Sequence, residues 1–189
     1  MTRLVLGTRN DHKVREFARL LPGIELEPLP DGVETPPEDG DTYAANALIK
    51  ARAAAAATGG AVLADDSGIG AEALGWAPGV YSARYAGEHA TDEENLAKLL
   101  REAPAGSPVM YVCALAFAAP GGTEHLFEGT CDGVMAAARS GNRGFGYDPV
   151  FALEDGRTMA ELAPEEKDAI SHRGRAANEL LAWLAGAEA

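Results

Sequence analysis

Four clusters along the chain have residue types and spacings suited to chemistry on a phosphorylated ligand. The first is Gly7-Thr8-Arg9-Asn10-Asp11-His12-Lys13, where a short apolar run meets a helical pattern. A helix N-terminus offers unpaired N–H groups and the positive end of the helix dipole, so it receives phosphate readily. Thr8 and Asn10 add side-chain hydrogen bonds, and Lys13 adds a movable point charge. The glycine spacing is neither that of a Walker loop nor that of a Rossmann fingerprint. The same residues also read as a capped helix with a solvated lysine.

The second cluster is Glu38 with Asn46 and Lys50. Asn46 and Lys50 lie four apart and share a helix face. A carboxylate beside that face could hold a hydrated metal next to a polyphosphate; the alternative is an exposed helix face after an acidic loop. The third is Asp65-Asp66-Ser67-Gly68, read as the end of a buried strand. Paired carboxylates suit magnesium, which takes one or two carboxylates plus waters and phosphate oxygens. Asp and Gly are equally common in structural turns.

The fourth is Gly144-Phe145-Gly146-Tyr147-Asp148-Pro149, with Lys167 and Ser171-His172-Arg173 further on. Aromatics on a glycine loop suit stacking on a flat base. Lys, His and Arg donors suit the keto oxygens of a purine edge. A hairpin turn with core aromatics, followed by an ordinary N-cap, is the competing reading. His172 and Arg173 fall at the end of the helix where the dipole disfavours cations, which points to an anionic or carbonyl partner.

The elements that must position these clusters follow from periodicity. Arg3 to Gly7 reads as a short buried strand. Asn10 to Leu21 reads as a helix, with Val14, Phe17, Ala18 and Leu21 at helical spacing. Ile24, Leu26 and Pro28 alternate with glutamates, as in a half-exposed strand. Residues 30–41 form an acidic, Pro/Gly-rich loop. Thr42 to Thr58 is a long alanine-rich helix closed by Gly59-Gly60. Ala61 to Ala64 reads as a strand, and residues 68–90 as turns with short strands. Thr91-Asp92-Glu93-Glu94 has capping-box spacing and opens a helix to about Arg101. Val109 to Ala119, apolar on both faces, reads as a central strand, and Thr123 to Met135 as its hairpin partner. Short helical pieces occupy 158–170, and Ser171 caps a last helix. This mixture indicates an α/β or α+β fold.

The chain has 189 residues, 47% hydrophobic and 24% charged, and a formal net charge of −13. That length suits a single domain, residues 1–189, or two tightly fused lobes. So acidic a chain is a poor match for a nucleic-acid polymer or an anionic membrane surface. A small anionic ligand stays compatible, because nearby groups set the field at short range. Two cysteines, Cys113 and Cys131, provide neither a zinc knuckle nor a disulfide framework. Cys113 reads as a buried thiol. No run is long and apolar enough to span a bilayer, and the N-terminus lacks a signal-peptide core, so the expected location is cytoplasmic.

Taken together, these segments resemble the inosine/xanthosine triphosphate pyrophosphatase family, house-cleaning enzymes that hydrolyse non-standard purine nucleoside triphosphates. The resemblance is carried by Thr8 to Lys13, Glu38 with Asn46-Ala47-Leu48-Ile49-Lys50-Ala51, Ala64 to Gly68, Pro78 to Tyr85, Gly144 to Phe151, and Lys167 with Ser171-His172-Arg173. They occur in the family's order and span nearly the whole chain. The resemblance implies an elongated, curved mixed sheet flanked by helices, with two lobes and a cleft between them. It also implies a homodimer and a need for Mg2+. By position, Thr8, Asn10 and Lys13 would hold the triphosphate of ITP, dITP or XTP. Arg9, Asp11, His12 and Lys50 would join the substrate site. Glu38 and Asp66 would serve magnesium, with Asp66 also the proton acceptor. Ser67 would contact substrate. Phe145, Gly146, Tyr147, Asp148, Lys167, His172 and Arg173 would form the base pocket. Two positions depart from the family's pattern. Ala45 stands where many relatives carry glutamate, and Arg143 replaces a glycine, which bears on loop mobility or an added phosphate contact.

Three other readings compete: a second enzyme, a nucleotide sensor, and an interaction domain with no ligand. A Maf-like pyrophosphatase would act on pyrimidine or modified nucleotides, but Ser171-His172-Arg173 and the Phe145 to Pro149 loop speak against it. A non-catalytic nucleotide sensor would keep the pocket without water activation, and the intact Glu38 and Asp66 argue otherwise.

Overall fold

A computed structural model describes residues 2–187. Six strands form one mixed sheet in the order β2-β1-β3-β4-β5-β6. They are β1 (Thr2–Leu6), β2 (Ile24–Pro28), β3 (Val62–Ala71), β4 (Pro108–Ala118), β5 (Glu124–Met135) and β6 (Phe151–Ala152). β1 runs parallel to β2 and to β3, with Val5 opposite Val62 and Leu6 opposite Leu63. β5 and β6 are antiparallel. The helices are α1 (Asp11–Leu20), α2 (Tyr43–Thr58), α3 (Asp92–Glu102), α4 (Pro164–Ile170) and α5 (His172–Ala187). The mixed α/β class expected from the sequence is what the chain adopts.

The chain divides into two compact units. The first gathers the residues up to Asp66, Cys113–Gly129 and the chain from His172 onward; the second gathers Ser67–Val112 and Thr130–Ser171.

In the first unit, strand alternation sorts side chains by size. Leu63, Leu115 and Phe117 point to one face, where Leu4, Leu6, Phe17, Ala177 and Leu180 join them in a core. Ala64, Ala114 and Ala116 point to the other, against Ala47 and Ala51 of α2. Successive strand residues face opposite sides, so this sorting follows from the Leu63-Ala64 and Ala114-Leu115-Ala116-Phe117 order. Small residues on both partners let α2 lie close to the sheet. α2 starts at the Thr42 cap and stops at Gly59, which takes the left-handed conformation at φ 66°. Gly129 of β5 is needed for a close approach. A Cβ there would stand 2.1 Å from the His172 carbonyl oxygen, so only glycine admits the start of α5.

In the second unit, Ile69, Leu96, Leu99, Tyr111, Met135, Phe151 and Met159 form the core. α3 opens with the capping box expected at Thr91 and Glu94.

Two expectations are corrected. Asp65-Asp66-Ser67-Gly68 is no strand end; β3 continues through it to Ala71. Turn-forming residues stay in the strand because the two carboxylates find cations on either side of the sheet. Residues 68–90 hold short 3-10 helices at Glu72–Leu74 and Gly79–Arg84, not further short strands. No helix among the described residues is long and apolar enough to cross a membrane.

Candidate active site

β3 puts Asp65 and Asp66 on opposite faces, and each meets different partners. Asp66 shares its side with Ala64 and therefore meets α2. Lys50 Nζ lies 3.1 Å from Asp66 Oδ1 and 2.7 Å from Glu38 Oε1. Asn46 Nδ2 donates to Asp66 Oδ2 at 3.2 Å. The amide of Gly40 donates to Asn46 Oδ1 at 2.8 Å, which fixes the orientation of the Asn46 carboxamide. The four-residue spacing of Asn46 and Lys50 thus delivers both to one carboxylate.

Asp65 shares its side with Leu63 and meets α1 and α5. Lys13 Nζ stands 2.9 Å from Asp65 Oδ2, and Arg173 Nε stands 3.5 Å from the same oxygen. Arg173 also donates to Glu16 Oε2 at 2.9 Å. Two cations and two anions alternate from Lys13 through Asp65 and Arg173 to Glu16.

The electrostatics of the two faces differ. Burial alone would push Asp65 up, but the charges of Lys13, Arg173 and Lys50 outweigh it and hold the carboxyl well below the usual range. Burial also pushes Asp66 up. Lys50 opposes that shift, the like charge of Glu38 adds to it, and the carboxyl ends above its ordinary value. Burial disfavours the charged form of Lys50, yet Asp65, Asp66 and Glu38 together raise its pKa, so it stays an ammonium. Several carboxylates share that one cation, which gains from all of them while Asp66 is left short of positive charge.

At the start of α1, Asn10 Oδ1 accepts from the amides of His12 (2.9 Å) and Lys13 (3.2 Å), and Thr8 Oγ1 accepts from the Asn10 amide. Both side chains therefore shape the helix entry. Arg9 donates to the carbonyls of Pro30 and Val33, tying down the acidic loop. Asp11 and His12 are exposed, and Arg15 lies 3.1 Å from His12 Nδ1. Ser67 follows Asp66 on β3 and is half-buried.

In the second unit, Asp148 organises the glycine loop. Its Oδ2 accepts from Lys167 Nζ at 2.6 Å and from the Phe145 amide at 3.0 Å. Gly144 is held at φ 71°, and a Cβ there would stand 1.9 Å from Asp148 Oδ2. Lys167 Nζ also sits 5.3 Å from the centre of the Phe145 ring. Phe145 and Gly146 are half-buried, whereas Tyr147 is in the core with its hydroxyl donating to the Ser82 carbonyl at 2.7 Å. Arg143 donates to the Glu161 carbonyl at 3.2 Å, which anchors the loop.

The structure thus gathers Glu38, Lys50 and Asp66 in one group. Lys13 and Arg173 join through Asp65, and Phe145, Asp148 and Lys167 form a third group. His172, the first residue of α5, is buried beside Arg173 in sequence within the first unit. The ionic roles of Asp65 and Glu16, and the grip of Asn46 on Asp66, went unread in the sequence. The signal for Asp65 and Asp66 was strand alternation; Glu16 falls three residues after Lys13 on one helix face.

Among the described residues no three His, Cys, Asp or Glu side chains form a metal cage. Glu38 and Asp66 nevertheless converge on one ammonium, and two hard oxygen donors suit a cation that completes its shell with waters and phosphate oxygens.

Comparison with known proteins finds relatives along nearly the whole chain. The sequence model of the Ham1 family matches residues 4–183. A dITP/XTP pyrophosphatase of Geobacillus kaustophilus is 51% identical, covering 95% of this chain and 93% of that protein. A dITP/XTP pyrophosphatase of Geobacter sulfurreducens is 50% identical, covering 93% of each. The solved structure of a HAM1 protein from Coxiella burnetii superposes with a TM-score of 0.87 at 39% identity, over 98% of this chain and 100% of that one.

Proposed function

The chain belongs to the Ham1 family, and on that premise we propose that it hydrolyses ITP, dITP and XTP to the nucleoside monophosphate and pyrophosphate, clearing them from the nucleotide pool. The whole chain acts as one functional domain. The observation that carries the reading is the Asp66 group: a buried carboxylate raised above its ordinary pKa, oriented by Asn46 and Lys50 and set beside Glu38.

The reaction needs a water to attack the α-phosphorus in line with the departing pyrophosphate. The bond to the α,β-bridging oxygen breaks as the new P–O bond forms. Asp66 accepts the proton of that water. Thr8, Asn10, Lys13 and Lys50 orient the triphosphate, with Arg9, Asp11 and His12 at the edge of that site. Lys13 is steadied by Asp65. Ser67 contacts the substrate next to the base. Glu38 and Asp66 are the residues that would hold Mg2+, which when bound supplies charge neutralisation on the phosphates. Phosphoryl transfer depends chiefly on such positioning and charge stabilisation.

Phe145 is the shelf for the purine, with Gly146, Tyr147 and Asp148 shaping the loop that carries it. The Lys167 ammonium supplies donors to its keto edge. Adenine presents an amino group at position 6, so those donors would face another donor. A polar site that loses its partner rejects the analogue by orders of magnitude.

A cytoplasmic homodimer completes the proposal. Trp76 (45% exposed) and Tyr81 (56% exposed) supply an apolar surface for self-association, which light scattering at micromolar concentration measures. The test of function is pyrophosphate release from ITP, dITP, XTP, GTP and ATP, with and without Mg2+. Turnover of ITP, dITP and XTP that needs Mg2+ and far exceeds turnover of ATP is the expected result. Equal rates on ATP would overturn the keto-edge selection.

A further inference from the structure

Tyr111 has no part in the scheme above, yet its hydroxyl meets the carboxylate that organises the Phe145 loop. β4 carries the residue into the core of the second unit. There its ring stacks on Phe151, with centroids 4.4 Å apart and 13° between the planes. The stack fixes where the phenol points, and its hydroxyl donates to Asp148 Oδ1 at 3.1 Å. The other oxygen, Oδ2, receives Lys167 Nζ at 2.6 Å and the Phe145 amide at 3.0 Å.

The division of labour between the two oxygens matters. The terminal torsion of an aspartate is broad, so a carboxylate gripped at one oxygen can swing. A second grip at the other oxygen removes that freedom. Gly144 leaves room for the carboxylate in this position, because a Cβ there would stand 1.9 Å from Oδ2. The direction of the Lys167 ammonium, and its place 5.3 Å from the centre of the Phe145 ring, then follow from a fixed acceptor.

We propose that Tyr111 is a positioning residue for purine recognition. Its hydroxyl locks the plane of the Asp148 carboxylate and through it sets the Lys167 donor over the Phe145 shelf before a base arrives. The inference rests on the proposed reading that Phe145, Asp148 and Lys167 hold the base. Tyr111 does not touch the substrate; its contribution is preorganisation, which lowers the cost of ordering the pocket on binding. The benefit falls on the base and not on the phosphates, which other residues hold.

Tyr111→Phe tests this directly, because it keeps the ring and its stack and removes one oxygen. KM and kcat for ITP, the ITP/ATP ratio of kcat/KM, and the inhibition constant of inorganic tripolyphosphate are measured for wild type and variant. The KM for ITP is expected to rise about tenfold, the scale of one hydrogen bond to a charged group. The ITP/ATP ratio falls, kcat stays within about twofold, and tripolyphosphate inhibits both proteins equally. A melting temperature near wild type separates this outcome from a folding defect. An unchanged KM in the folded variant, or a parallel weakening of tripolyphosphate, overturns the proposal. A wild-type protein that cleaves none of ITP, dITP and XTP instead overturns the functional reading beneath it, a result seen before any variant is made.

Discussion

On one side of β3 the Asp65 carboxylate lies between Lys13 and Arg173, with Glu16 closing the ionic chain. On the other side, one residue along, Asp66 shares a single ammonium with Glu38. The two residues have the same chemistry and nearly the same burial. Their difference is a count of nearby cations. The better-neutralised carboxylate stays ionised and supports the fold, whereas the under-neutralised one retains affinity for a proton or a divalent cation. Strand geometry alone creates this separation, because adjacent side chains face opposite ways.

The comparison breaks most visibly at Asp66. Asp66→Asn keeps the shape but removes the proton acceptor and one of the two oxygens that accept from Lys50 and Asn46. Turnover of ITP is expected to fall about 10²–10⁴-fold, the usual contribution of a positioned general base, in protein that still melts cooperatively, because Lys50 keeps Glu38 as an ionic partner. Near-normal turnover would remove Asp66 from the mechanism.

Asp65→Asn should act chiefly on stability. Removing one partner of a buried ion pair typically costs about 3–5 kcal/mol, read as a lower urea midpoint at pH 7. The sign of its pH dependence follows from the depressed pKa. The stabilising contribution is complete above the unfolded-state value of about 3.9 and is lost as pH falls through the lower folded-state value. The stability gap between wild type and variant therefore narrows as the solution is acidified from neutral toward strong acid. A gap that widens toward acid would contradict the assignment.

A smaller effect is expected at Glu38. Its like charge helps hold Asp66 above the ordinary carboxylate range. Glu38→Gln removes that charge, so the acidic limb of the pH–rate profile, along which activity rises as Asp66 loses its proton, should move to lower pH. The Mg2+ concentration for half-maximal rate should rise in the same variant. A limb that moves upward would mean that Glu38 acts on Asp66 in some other way.

The smallest effect concerns Cys113, on the Asp65 side of the sheet. Burial pushes its thiol far up, and the charge of Asp65 adds to the shift. A thiol reagent at pH 8 should leave the native protein unmodified and label it only at the rate of unfolding. Rapid labelling of Cys113 would show that this side is open to solvent.

Much of this organisation is legible in the sequence, and the limits have physical causes. Caps at Asn10, Thr42 and Thr91 depend on local hydrogen bonds, so residue type and spacing reveal them. β4 stands out because an apolar run of its length needs a sheet, and β5 because it follows as a second long strand across a glycine turn. The course of β3 through Asp65-Asp66-Ser67-Gly68 is not legible, since local preference reads those residues as a turn. Lys13, Lys50 and Arg173 decide otherwise from other elements. The Glu16–Arg173 pair joins residues 157 positions apart, a distance across which no local pattern informs. The burial of Tyr147 is similarly hidden, because an aromatic on a glycine loop reads as a shelf until the loop's packing is known.

The most direct test of the under-neutralised carboxylate is 31P NMR of ITP incubated with Mg2+ in 18O-enriched water, using wild type and Asp66→Asn. The account predicts that wild type places the heavy oxygen on the phosphorus of IMP and releases unlabelled pyrophosphate, while the variant converts almost nothing over the same time. Label in pyrophosphate or inorganic phosphate, or conversion by the variant at close to the wild-type rate, would contradict it.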